Sequence, residues 1–77
     1  IFIDLSDTLE EPLTNRELGV LQLMKQGLLS KEIANSLNVS INTINTHRQN
    51  ILLKLKANNS IEAVNIAQRL GLLNNSV

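Results

Sequence analysis

At 77 residues and without cysteine, the chain can make one small domain that has neither a disulfide nor a thiolate metal site to brace its core. Hydrophobic residues make up 43% of it but aromatic ones only 1%, so the core is leucine, isoleucine, valine and alanine, a mixture that favours helices over strands. The net charge of zero hides an acidic lead-in and a basic remainder, and no apolar stretch approaches the roughly 20 residues of a membrane span, which leaves a cytoplasmic protein as the expectation.

Residues 1–12 read as an acidic linker or the edge of an upstream domain. Ile1, Ile3 and Leu5 alternate briefly before Asp4, Asp7, Glu10, Glu11 and Pro12 interrupt, and the chain starts in mid-pattern as a piece of a longer protein would. All seven bases lie in 13–77, against three acids, Glu17, Glu32 and Glu62. The balance there is mildly basic and fits a nucleic-acid module.

From Leu13 the pattern is helical. Thr14 with Glu17 forms a capping box, and Leu13 with Leu18 can staple it, which predicts a first helix from about Asn15 to Gln26. Leu18, Leu21, Val20 and Met24 form its apolar face, and Gly27 is placed to end it in the left-handed conformation. A second helix runs from Ser30 to Leu37 with Ile33, Ala34 and Leu37 inward. A third runs from Ile41 to Leu55 with Ile44, Ile51 and Leu55 inward. Between these two, Asn38 tolerates the left-handed backbone, Val39 plugs the corner, and Ser40 accepts from the amides that open the next helix. Two helices joined by three residues are a helix-turn-helix signature. Ser60 is a plausible cap for a fourth helix from Ile61 to Leu70, with Ala63, Val64, Ala67 and Leu70 inward, Gly71 closing it, and Leu72 and Leu73 folding back. The expectation is an all-α, compact four-helix bundle over 13–77.

At about 100° per residue, Asn42, Asn45, Thr46 and Gln49 fall opposite the isoleucines of the third helix. Asn and Gln carry a donor and an acceptor in one plane, which matches the N6 and N7 edge of adenine, and a Thr methyl can touch that of thymine. An ordinary solvated helix face has the same composition, but the position on the second helix of a helix-turn-helix favours DNA. Lys31, Thr43 and Lys54, with the backbone amides of two helix N-termini, are placed to hold phosphates on either side of a groove. Arg48, at the edge of the inner face, has the reach for a phosphate, a base, or a carboxylate such as Glu17 or Glu32. His47 is the single histidine and lacks partners for a metal site or a catalytic relay, so it is expected to be packed or half-buried. No enzyme activity, cofactor or metal is expected.

The order Leu13-Thr14-Asn15-Arg16-Glu17, Val20-Leu21, Gly27, Lys31-Glu32-Ile33-Ala34, Leu37, Ser40, Thr43-Ile44, His47, Asn50-Ile51, Lys54-Leu55, Ala63-Val64, Ala67 and Gly71-Leu72 resembles the LuxR-type helix-turn-helix domain, over about Leu13 to Leu73. The resemblance implies the C-terminal effector domain of a bacterial transcription regulator, such as a response regulator. Its third helix would enter the major groove of double-stranded DNA, and its fourth would make a homodimer. Position by position, it implies base contacts from Asn45, Thr46 and Gln49, with Asn42 and Arg48 as further members. Phosphate contacts fall to Lys31, Ser40, Thr43 and Lys54, and dimerisation to Ile61, Asn65, Gln68 and Arg69. RNA polymerase is a possible partner; a membrane is not.

Four positions depart from the family. Gly19 replaces a second glutamate, Leu29 replaces a capping Ser and shifts the expected cap to Ser30, Asn45 replaces a lysine of the recognition helix, and Ser60 stands where arginine is common. Loss of the lysine leaves a rival open, a protein-interaction module on the same scaffold with weak or no DNA binding. A sigma-factor-like promoter domain is a third reading.

Overall fold

The computed structural model describes residues 12–73, and it contains four helices: α1 (Asn15–Lys25), α2 (Ser30–Leu37), α3 (Ile41–Leu55) and α4 (Ser60–Arg69). The stretch read as an acidic linker, apart from Pro12, and the tail 74–77 lie outside the described residues. Among the described residues there is no strand, and no helix is long and apolar enough to cross a membrane. The all-α expectation holds, with element boundaries within a residue of those read from the sequence.

Local chemistry explains where each helix starts. The Thr14 hydroxyl accepts the Glu17 N–H at 3.1 Å while the Glu17 carboxylate accepts the Thr14 N–H at 3.0 Å, a complete capping box. Ser40 caps α3 by accepting the Thr43 N–H at 3.1 Å. Two starts differ from expectation. At α4 the cap is Asn59, whose side-chain carbonyl accepts the Glu62 N–H at 2.8 Å, so Ser60 is already helical and its hydroxyl is free for another use. At α2 the cap residue is Leu29 and not Ser30. A leucine side chain has no acceptor, so only the return half of a box exists, in which Glu32 accepts the Leu29 N–H at 2.7 Å.

The four helices share one way of stopping. Gly27, Asn38, Lys56 and Gly71 have φ of 89°, 61°, 56° and 76°, and the residue after each donates its N–H back to a carbonyl five positions earlier. Those bonds are Leu28 to Leu23, Val39 to Ala34, Ala57 to Leu52 and Leu72 to Ala67, at 2.9 to 3.2 Å. This is the Schellman arrangement, and its apolar follower packs onto the helix it has just left. Leu28, Val39, Ala57 and Leu72 are accordingly all half-buried against the core. Lys56 is the costly member, since glycine has no Cβ to clash in this region and asparagine's short polar side chain can bond locally, whereas lysine has neither advantage.

Helix α3 is central. It packs against α1, α2 and α4, whereas α2 and α4 do not pack on each other. The core comprises Val20, Leu21 and Met24 from α1, Ile33 and Ala34 from α2, Ile44, Ile51 and Leu55 from α3, Ala63 and Ala67 from α4, and Leu73, which folds back. The two alanines let α4 approach closely. With its inner stripe anchored on three sides, α3 cannot rotate, and its opposite stripe is committed to the surface.

Candidate nucleic-acid interface

Ile44 and Ile51 are fully buried and Leu55 nearly so, while Asn42, Asn45, Thr46 and Gln49 are exposed. At about 100° per residue these four occupy a sector of about 100° on the far side of α3. The structure thus brings together four of the five residues read as base-contacting. Their amides and hydroxyl make no hydrogen bonds to the rest of the described chain, so their donors and acceptors are available to a ligand.

The electrostatics favour an anion at one end of this face. The carboxylates of Glu17, Glu32 and Glu62 sit in the first turns of α1, α2 and α4, where each accepts a backbone N–H and offsets the positive end of the helix dipole. The first turn of α3 has no acid. Its amides are flanked by the Ser40 and Thr43 hydroxyls, 2.9 Å apart and exposed, which leaves the N-terminus of α3 as the one uncompensated positive end among the described helices. Lys31, in the first turn of α2, is exposed and pairs with no described residue.

Arg48 and Lys54 are placed differently. The Arg48 side chain turns away from the amide stripe: one guanidinium nitrogen donates to the Ser30 hydroxyl at 3.1 Å and the other to that of Ser60. Neither Glu17 nor Glu32 receives it. Lys54 instead takes Glu17, with its ammonium 2.8 Å from the carboxylate and 3.3 Å from the Pro12 carbonyl. Both side chains of that pair are largely buried, at 16% and 4% exposure. Burial pushes the Glu17 carboxyl up. The hydrogen bonds from Lys54 and the Thr14 N–H, with the charge of Lys54, outweigh it and hold the group below the ordinary glutamate value. Arg48 and Lys54 are therefore already employed in tying helices together. His47 is half-buried on the flank, as expected.

On α4, Ile61, Asn65 and Arg69 are exposed and Gln68 is half-buried, and Ile61, Asn65 and Gln68 share one outward face. Ile61, at 75% exposure, is the most exposed large apolar side chain among the described residues. Beside it a shallow cleft of about 310 Å³ is lined by Met24, Gly27, Val64 and Asn65, among others.

The model of the bacterial regulatory proteins of the luxR family matches residues 11–67. The chain belongs to the LuxR family. This LuxR-family domain is 47% identical over 62 residues to the response regulatory protein YgeK of Escherichia coli K12, covering 80% of the chain and 42% of that protein. It is 44% identical over 62 residues to the transcription regulator BvgA of Bordetella pertussis, covering 80% of the chain and 30% of the relative. Among solved structures it superposes on the response regulator ChrA of a heme-sensing two-component system with a TM-score of 0.80 at 33% identity, over 83% of the chain and 32% of ChrA. The chain thus spans between about a third and two fifths of the length of the relatives it matches.

Two residues of the LuxR-family domain share the outward stripe of α3 without having been singled out from the sequence. Leu53 is 71% exposed, and Lys56 is exposed at the left-handed end of the helix. Helical spacing would have found both, since Leu53 follows Gln49 by four and Lys56 follows it by seven. Among the described residues, no group of three histidines or acids could hold a metal ion.

Proposed function

We propose that this LuxR-family domain is the sequence-specific DNA-binding effector of a bacterial transcription regulator, with α3 lying in the major groove. Asn42, Asn45, Thr46 and Gln49 read base edges there. Lys31, Ser40, Thr43 and the open N-terminus of α3 hold phosphates, and this is a binding role without covalent chemistry. The observation that carries the reading is the orientation of α3: four amide and hydroxyl side chains exposed and unengaged on one face, with Ile44, Ile51 and Leu55 locked into the core on the other.

A homodimer through Ile61, Asn65, Gln68 and Arg69 of α4 places two copies on paired half-sites about one DNA turn apart. Residues 1–12 link the domain to a sensory domain in the cytoplasm, and a regulator bound at a promoter in this way can meet RNA polymerase. The engaged side chains favour a specific division of labour: Arg48 braces the fold from within, and Lys54 serves the Glu17 pair ahead of any phosphate.

The rival, a protein-interaction module with little DNA affinity, draws support from the same engagement of Arg48 and Lys54 and from Asn45 in place of a lysine. Selection of duplexes from a random pool at low and moderate salt separates the two. Enrichment of a two-fold site whose affinity falls as salt rises supports DNA reading, and no retention at low salt supports the rival.

A further inference from the structure

We propose that Leu53 is a base-reading residue whose side chain meets the methyl group of a thymine at one end of each half-site, one helical turn beyond the base read by Gln49. This inference rests on the reading of α3 as the groove element. Leu53 is 71% exposed on a helix whose other large apolar side chains are mostly packed, and it lies inside the same sector as Asn42, Asn45, Thr46 and Gln49. The stripe from Asn42 to Leu53 rises about 16 Å, which matches about five base pairs at 3.4 Å each.

Chemistry selects the partner. The methyl of thymine is the one apolar group that bases present in the major groove, and a leucine has neither donor nor acceptor for any other base edge. A protein partner would need a contiguous apolar patch with a buried centre. Leu53 offers none. Its neighbours along the stripe are Gln49 and Lys56, both exposed and polar. Ile41, the other exposed large apolar residue of α3, is about 18 Å away along the axis, and Leu29, Ile61 and Leu70 belong to other segments. A lone leucine between an amide and an ammonium suits a contact that needs only a methyl group's area.

The test uses sites selected from a random pool by the intact chain, in which each thymine is then replaced singly by deoxyuridine, a change that removes only the methyl. Burying one methyl against leucine corresponds to about fourfold in affinity. Wild type should lose about that factor at one end position of each half-site. Leu53→Ala should bind the thymine site more weakly, be indifferent to deoxyuridine at that position, and keep the wild-type response elsewhere. The side chain is exposed, so the variant folds, and equal urea midpoints check this. An L53A variant with the wild-type response at every position overturns the proposal, as does unchanged affinity for all sites, which would assign the side chain to a protein contact. If wild type enriches no site, the groove reading itself fails, a result distinct from either.

Discussion

Replacing Glu17 by glutamine keeps an acceptor for the Thr14 N–H but removes the charge that faces Lys54. At 2.8 Å, with an effective dielectric of about 20, the attraction is about 6 kcal/mol. Taking two charges to 16% and 4% exposure offsets several kcal/mol of this, which leaves a net value near that of a charge-assisted hydrogen bond, about 2 kcal/mol. Urea unfolding of E17Q at neutral pH should therefore show a loss of about 2 kcal/mol, and a cycle with Lys54→Met should place most of it in the coupling between the two. The pH dependence has a definite sign. Glu17 has a folded value below its unfolded one, so its contribution is fully present above the unfolded carboxylate value and is lost as pH falls through the folded one. The gap between wild type and E17Q should close in that acidic window. Equal stabilities at neutral pH, or a gap that persists at low pH, would refute the assignment of this pair as the α1 to α3 tie.

Four further outcomes are expected. Gln49→Ala should cost about 1 to 3 kcal/mol at the preferred site and little on random duplex, measured by fluorescence anisotropy on both. Lys31→Ala should weaken binding on both DNAs alike and reduce the slope of log affinity against log salt by about 0.9. A Cβ at Gly19 meets nothing within 4 Å, so Gly19→Ala should raise the stability of α1 by up to about 1 kcal/mol in urea unfolding. Leu29 is 69% exposed and offers no cap, so Leu29→Ser should complete the box with Glu32 and stabilise α2 by about 1 kcal/mol, with no loss of core packing.

The four helices could be read from the sequence because their punctuation is local. Thr14 with Glu17, Ser40 with Thr43, and the left-handed Gly27, Asn38 and Gly71 each act within one turn of chain, and the apolar spacing of Ile44, Ile51 and Leu55 fixes which side of α3 faces out. Four of the candidate base readers follow from that spacing alone. The destinations of Arg48 and Lys54 did not, because a long cation at the edge of a helix face can reach several partners and the choice depends on what other helices bring near. Ser30 and Ser60 capture Arg48 only because neither caps its own helix, and Asn59 against Ser60 was a contest between adjacent residues with equal credentials.

The position of Arg48 has a mechanical consequence. Helices α2 and α4 have no packing surface in common, and a single guanidinium from α3 pins the first residue of each. A shift at the beginning of α4, where a second copy would press on Ile61, has a guanidinium bridge by which to reach the beginning of α2, where the exposed Lys31 would hold a phosphate under the proposed function. Assembly and grip would then be felt through one planar group, held by two hydroxyls that exchange partners at little expense.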